Sequence, residues 1–167
     1  MLYDFVVTEL SNVYLDALKD RLYCEKPGSL ARRSAQTVLA ELLSMLLRDL
    51  QPILAFTCDE VMAYAPAGCR GGETYAAMLD WYQAPISVEE ANEYSEVLTA
   101  ALTLRGAVTK ALEDARAAGT FTKSQEVRIS ATVPSSDFAL LTGERGIDLA
   151  EFFIVSEVAL MENEDAE

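Results

Sequence analysis

"KDRLYCEKPGSLARRSAQTVL" (Lys19–Leu39) holds the end of one helical pattern, a breaker, a capping residue and the start of the next pattern. Leading into it, apolar residues recur every four positions from Leu10 through Tyr14 and Leu18 to Leu22, and Val13 and Ala17 widen the stripe. That spacing predicts an amphipathic helix over residues 2–25. Lys26, Pro27 and Gly28 end it. Ser29 stands where an N-cap belongs, ahead of a second stripe of Ala35, Leu39, Leu42, Leu43, Leu46 and Leu50 that closes before Pro52. Together the two predict an antiparallel helical hairpin. The quoted stretch also carries five cations, Lys19, Arg21, Lys26, Arg32 and Arg33, against two acids, Asp20 and Glu25.

That local excess is set in an acidic chain. The 167 residues include 13 bases and 27 acids, a net charge of −14, and a length that suits one domain or one domain with a small appendage. With 51% hydrophobic residues the sequence still has a core to bury, so the acidity sits on a folding chain. The charge is uneven: net −1 over residues 1–56, −5 over 57–125 and −8 over 126–167. A basic patch in the first third therefore works against an adverse field, and binding to a polyanion should be weak and salt-sensitive.

Several function classes are excluded. The chain has no histidine, which removes Ser-His-Asp and Cys-His triads and histidine-ligated metals. Its three cysteines, Cys24, Cys58 and Cys69, form no CxxC and are expected as unpaired thiols. The longest uncharged runs, such as "LQPILAFTC" (50–58), fall far short of the roughly 20 residues that span a bilayer. No membrane partner is expected, and acids in "MLYDFVVTEL" argue against a secretory signal, so the expected location is cytoplasmic. "CRGGETY" (69–75) lacks the lysine and following helix of a phosphate cradle.

Further along, Thr57 and Glu60 have capping-box spacing and predict a short helix through Val61 and Tyr64, stopped by Pro66. Ser87 and Glu90 repeat the device and open the longest helix, 88–118, with an inward stripe of Ala91, Tyr94, Leu98, Ala101, Leu102, Val108, Leu112 and Ala115. Gly119 ends it. The period then changes: "EVRISATVP" (126–134) and "FFIVSEVALME" (152–162) read as strands, with a short helix near 136–142 between them. The glycine- and proline-bearing stretch 66–86, which includes "DWYQAP", is long enough to be functional or mobile. The expected partition is a helical domain over 1–118, a small α+β subdomain over 119–162 and an acidic tail, 163–167.

The blocks "SNVYLDALKDRLY" (11–23), "RRSAQTVL" (32–39), "PILAFTCDEV" (52–61), a loop Trp, "LRGAVTKALEDAR" (104–116) and "TKSQEVRI" (122–129) together resemble the anticodon-binding helical domain of class I aminoacyl-tRNA synthetases, in its isoleucyl branch. The likeness covers nearly the whole chain and departs at Val13, Met62 and Thr109. It implies a mainly α fold, the anticodon-binding helical bundle followed by a small α+β appendage. It further implies a non-catalytic, monomeric segment that positions tRNA(Ile) for a catalytic domain elsewhere in the same parent chain. That absent domain would bear the HIGH- and KMSKS-type motifs and bind ATP and Mg²⁺; no cofactor is expected in this segment.

On that resemblance the basic hairpin faces the anticodon stem-loop, with stems gripped at phosphates and unpaired bases read by stacking and edge hydrogen bonds. Arg32 and Arg33 open a helix, where free N–H groups also favour an anion, and Lys19, Arg21 and Lys26 approach from the preceding helix and turn. Asn12 and Gln36 can read a base through their amides, Trp81 and Tyr82 can stack on one, and Lys110, Arg116 and Lys123 offer a second line of phosphate contacts. Each has a plainer reading. Arg32 shares the face of Ala35 and Leu39 and can instead bond the last carbonyls of the first helix, near Leu22 and Tyr23. Lys19 can pair with neighbouring acids, and Asn12 and Gln36 can be ordinary helix surface. A loop Trp more often anchors its loop by packing, and Arg105, on the apolar stripe, reads as structural. The competing function class is an acidic helical protein-interaction domain that binds no RNA.

Overall fold

In the computed structural model, which describes residues 2–163, Ser29 and Ser87 each open a long helix. Ser29 Oγ accepts the Arg32 amide at 3.2 Å and starts α3 (Leu30–Leu50). Ser87 Oγ accepts the Glu90 amide at 3.1 Å and starts α5 (Val88–Ala117). Both caps were legible because a hydroxyl three residues before an amide meets a donor the helix cannot satisfy. The chain falls into two compact units, Leu18–Pro85 forming one, and residues up to Ala17 together with those from Ile86 onward forming the other.

The expected helix over 2–25 is broken. Short α1 (Leu2–Asp4) runs into a π-helical stretch, Phe5–Leu15, and a turn at Leu18 precedes α2 (Lys19–Tyr23). A four-residue apolar spacing persists through such a break, so the pattern could not reveal it. Leu18 is itself buried in the Leu18–Pro85 unit, and within that unit the hairpin reduces to α2 against α3.

In that unit Leu47, Cys58, Met62 and Ala76 form the core, with Leu43, Leu50, Val61 and Leu79 packed on it. Met62 is the largest wholly buried side chain, so the departure there is a matter of packing. Helix α4 (Ala55–Tyr64) starts earlier than the capping-box reading allows and has no side-chain cap. The chain turns directly out of α3, with the Leu50 carbonyl accepting the amides of both Ile53 and Leu54 at 3.0 and 2.7 Å, so Thr57 lies inside the helix. The stretch after Pro66 is tied down: Cys69 is buried with Sγ 3.7 Å from the Ala40 carbonyl, Arg70 Nε donates to the Ala65 carbonyl at 2.7 Å, and the Ala76 amide donates to Asp59 at 2.8 Å.

The other unit is built on α5. Its stripe is Val97, Ala100, Ala101 and Val108, and Tyr94 and Leu98, expected inward, are exposed at 47% and 44%. Arg145 lies over the Tyr94 ring, 5.6 Å from its centroid, and pairs with Glu93, so the first turns of α5 are covered by a cation rather than by core. The helix closes on Gly119 at φ 74°, with Thr120 N–H to Ala115 and Gly119 N–H to Arg116 carbonyls, both 3.0 Å.

A 3₁₀ turn, Ser124–Glu126, shortens the first strand to β1 (Arg128–Pro134). Helix α6 (Ser135–Thr142) follows, close to the expected span. "FFIV" is not strand: Asp148 Oδ1 accepts the Ala150 and Glu151 amides and caps α7 (Leu149–Phe153), which ends on left-handed Ile154. A short apolar run does not distinguish buried strand from buried helix; the capping aspartate decides it. β2 (Glu157–Asn163) then pairs parallel to β1, Arg128 opposite Glu157 and Pro134 opposite Asn163. Residues 119–162 share their core with α5, since Ala101 and Val108 pack with Leu141, Leu149, Phe153 and Val155. The acidic tail, apart from Asn163 in β2, lies outside the described residues.

Candidate nucleic-acid interface

The residues singled out from sequence divide between the two units. Lys19, Arg21, Lys26, Arg32, Arg33, Gln36 and Trp81 belong to Leu18–Pro85; Asn12, Lys110 and Lys123 belong to the other. Lys19 and half-buried Arg21 lie on α2, exposed Lys26 lies in the turn after it, and Arg32 and Arg33 sit in the first turn of α3. The five cations thus flank one short connection along the chain, two on α2, one in the turn and two in the first turn of a 21-residue helix whose dipole favours anions.

Within the cluster the two arginines have different tasks. Half-buried Arg32 donates Nη1 to the Glu25 carbonyl at 3.0 Å, tying the connection to α3. The plainer reading of Arg32 holds in kind, with the acceptor in the connection rather than at Leu22 or Tyr23. Exposed Arg33 lines a shallow groove of about 510 Å³ with Leu30, Gln36, Thr37 and Glu41. A guanidinium there can present its fork of donors to a phosphate, and the Gln36 amide stands beside it.

Trp81 is 79% exposed, so it does not anchor its loop by packing. Its neighbours do that instead. The Tyr82 hydroxyl donates to Glu41 Oε2 at 3.0 Å, and Arg48 Nε donates to the Asp80 carbonyl at 2.7 Å. Desolvation and the bond to Glu41 push the Tyr82 phenol above its ordinary range, while Arg48 opposes them; the hydroxyl keeps its proton at neutral pH. Sequence reasoning passed over Arg48 and Glu41. The available signal was Ser44 four residues before Arg48, a spacing that lets the guanidinium fold back along α3.

In the other unit, exposed Asn12 lies on the π-helical stretch, and its carbonyl accepts Arg105 Nη2 at 3.5 Å. Arg105 also donates Nη1 to the Phe152 carbonyl and lies 5.3 Å from that ring's centroid. Burial lowers its pKa, with Asp16 opposing, as suits a structural cation on the apolar stripe. Arg116 is engaged as well, with Nη2 on Ser124 Oγ at 2.7 Å and its guanidinium over Phe121. Lys110 and Lys123 are exposed, on α5 and just before the 3₁₀ turn.

The sequence model for the anticodon-binding domain of tRNA ligase matches residues 1–131. The isoleucine–tRNA ligase of Desulfovibrio desulfuricans is 41% identical over 160 residues, 95% of this chain and 17% of the relative. Those of Nitratidesulfovibrio vulgaris (strain Miyazaki F) and Brachyspira hyodysenteriae are 39% and 37% identical over 99% and 98% of the chain. The chain spans 17% of the length of each of these curated relatives. Matched across more than half its length and aligned nearly end to end with these relatives, the chain belongs to the family of anticodon-binding domains of tRNA ligases.

Proposed function

We propose that this chain is the tRNA-holding segment of an isoleucine–tRNA ligase, working in the cytoplasm and presenting tRNA(Ile) to a catalytic domain elsewhere in the parent chain. What supports the reading is that five cations flank the connection from α2 to α3, with Arg33 exposed in the first turn of α3 and Arg32 tying the connection to it. Arg33 is the principal phosphate contact, Arg32 holds the connection in shape, and Lys19, Arg21 and Lys26 supply further positive charge. Gln36 and Trp81 are base contacts on the same unit, while Asn12, Lys110 and Lys123 form a separate set. ATP and Mg²⁺ belong to the catalytic domain. Among the described residues no group of three or more Cys, Asp or Glu side chains is placed to hold a metal ion.

A full-length ligase carrying Arg33→Glu tests this. The expected result is a rise of about tenfold in KM for tRNA, with isoleucine-dependent ATP–pyrophosphate exchange unchanged. An unaltered tRNA KM overturns the site. The second reading, a protein-interaction domain, is favoured by Ile53 and Phe56, which stand 80% and 93% exposed where α3 turns into α4. It predicts that Ile53→Ser or Phe56→Ser disturbs docking to a protein partner and that the unaltered chain does not bind RNA.

A further inference from the structure

Trp81 is the single tryptophan of the chain, and its exposure contrasts with the restraint of the backbone on either side. Asp80 is held by Arg48 and Tyr82 by Glu41, both from α3. Arg48 is braced in turn: Nη1 donates to the Ser44 carbonyl at 2.7 Å and to Ser44 Oγ at 2.6 Å. Gly71 passes so close that a Cβ there would meet Leu79 Cδ2 at 3.2 Å and Arg48 Nη2 at 3.6 Å. The indole is thus carried by a short segment fixed at both neighbours while its own faces meet water. An aromatic ring presented this way loses little freedom when a flat partner settles on it.

Its surroundings indicate the partner. Glu41, which holds Tyr82, lines the groove that also contains Arg33 and Gln36. Eight residues of helix separate Arg33 from Glu41, about 12 Å of rise. The face of α3 that carries Arg33 therefore also carries the acid that anchors the residue next to Trp81. Bases inside a duplex stay stacked on each other, whereas an unpaired base can turn its π-face to an indole.

The geometry points to Trp81 as a preset stacking platform for an unpaired nucleobase of single-stranded RNA, with Arg48, Glu41 and Tyr82 as positioning residues that hold its segment on α3. This rests on the tRNA-binding reading above. Because the chain has one tryptophan, its emission reports the platform directly. The 167-residue chain is titrated at low salt with an isoleucine anticodon stem-loop, with the same stem closed as a blunt duplex, and with heparin.

The stem-loop is expected to quench the indole, and the duplex and heparin to leave it bright. Trp81→Ala should bind the stem-loop about tenfold more weakly with duplex affinity unchanged, and Trp81→Phe should restore most of the loss. Tyr82→Phe removes one hydroxyl; it should lower the steady-state anisotropy of the indole and weaken the stem-loop about threefold. Arg48→Met should act in the same direction, and if it unfolds the chain Tyr82→Phe carries the test. Unchanged stem-loop affinity of Trp81→Ala, or equal quenching by duplex and heparin, overturns the platform and leaves the tRNA-binding reading in place. Failure of every RNA to bind overturns both.

Discussion

Two of the three thiols are buried and one is exposed, which sets an order of reactivity. Cys58 is buried, and desolvation first, then the charge of Asp59, raises its pKa, so less of it is thiolate at mildly alkaline pH. Cys69 is also buried, and Cys24 is exposed. Alkylation of the folded protein at pH 8 should therefore label Cys24 quickly, with Cys58 and Cys69 reacting only after denaturation; mass spectrometry of the peptides checks it. Met62 is 1% exposed amid Leu47, Cys58 and Ala76, so Met62→Ala should cost about 2–5 kcal/mol in urea unfolding. The cationic residues were legible in their type and their crowding, but Arg32 and Arg33 differ only in which way the first turn of α3 aims them, and Trp81 exposed could not be told from Trp81 packed until the bonds of its neighbours were known.

Helix ends show where sequence reading works and where it stops. Ser29 and Ser87 were recognisable because a cap is a local event, completed within three residues. Ser29→Ala should cost about 1 kcal/mol and Ser29→Gly a few tenths, measured by denaturant unfolding. Ser29→Ala should also loosen the Arg32 tie to Glu25, so RNA affinity falls with it. The start of α4 was hidden because it is not local, and α7 was missed although its cap is, because the apolar run after it fits a buried strand as well as a helix. The former depends on a turn made by the end of α3, and the latter is fixed by Asp148, whose Oδ1 accepts the amides two and three residues on. Gly71 is a further element-scale case: its φ of 57° and its closeness to Leu79 and Arg48 predict that Gly71→Val is strained and shifts the Arg48 brace. Its expected sign is a lower thermal midpoint together with a more mobile Trp81 emission.

At the scale of the whole molecule, a body of net charge −14 opposes the polyanion that its basic connection is read as holding. Few phosphates are then engaged, and for about four contacts to the paired stem the plot of log affinity against log salt should have a slope of roughly −3.5. Arg33→Glu should bring that slope about one unit closer to zero, whereas Trp81→Ala should leave it unchanged, since stacking releases no counterions. The mainly helical class was readable from periodicity, and the parallel pairing of β1 with β2 was not, because register between distant strands is fixed by what packs on them.

The unit containing α5 is assembled from two separated stretches of chain, with Arg105 reaching back to the Asn12 carbonyl. During synthesis on the ribosome the residues up to Ala17 must wait, because their partners are not made until Ile86 and beyond emerge, while Leu18–Pro85 is one continuous stretch. The intervening segment should therefore gain protease resistance on stalled nascent chains before the residues up to Ala17 do, and closing the long detour makes the discontinuous unit the slower of the two to fold.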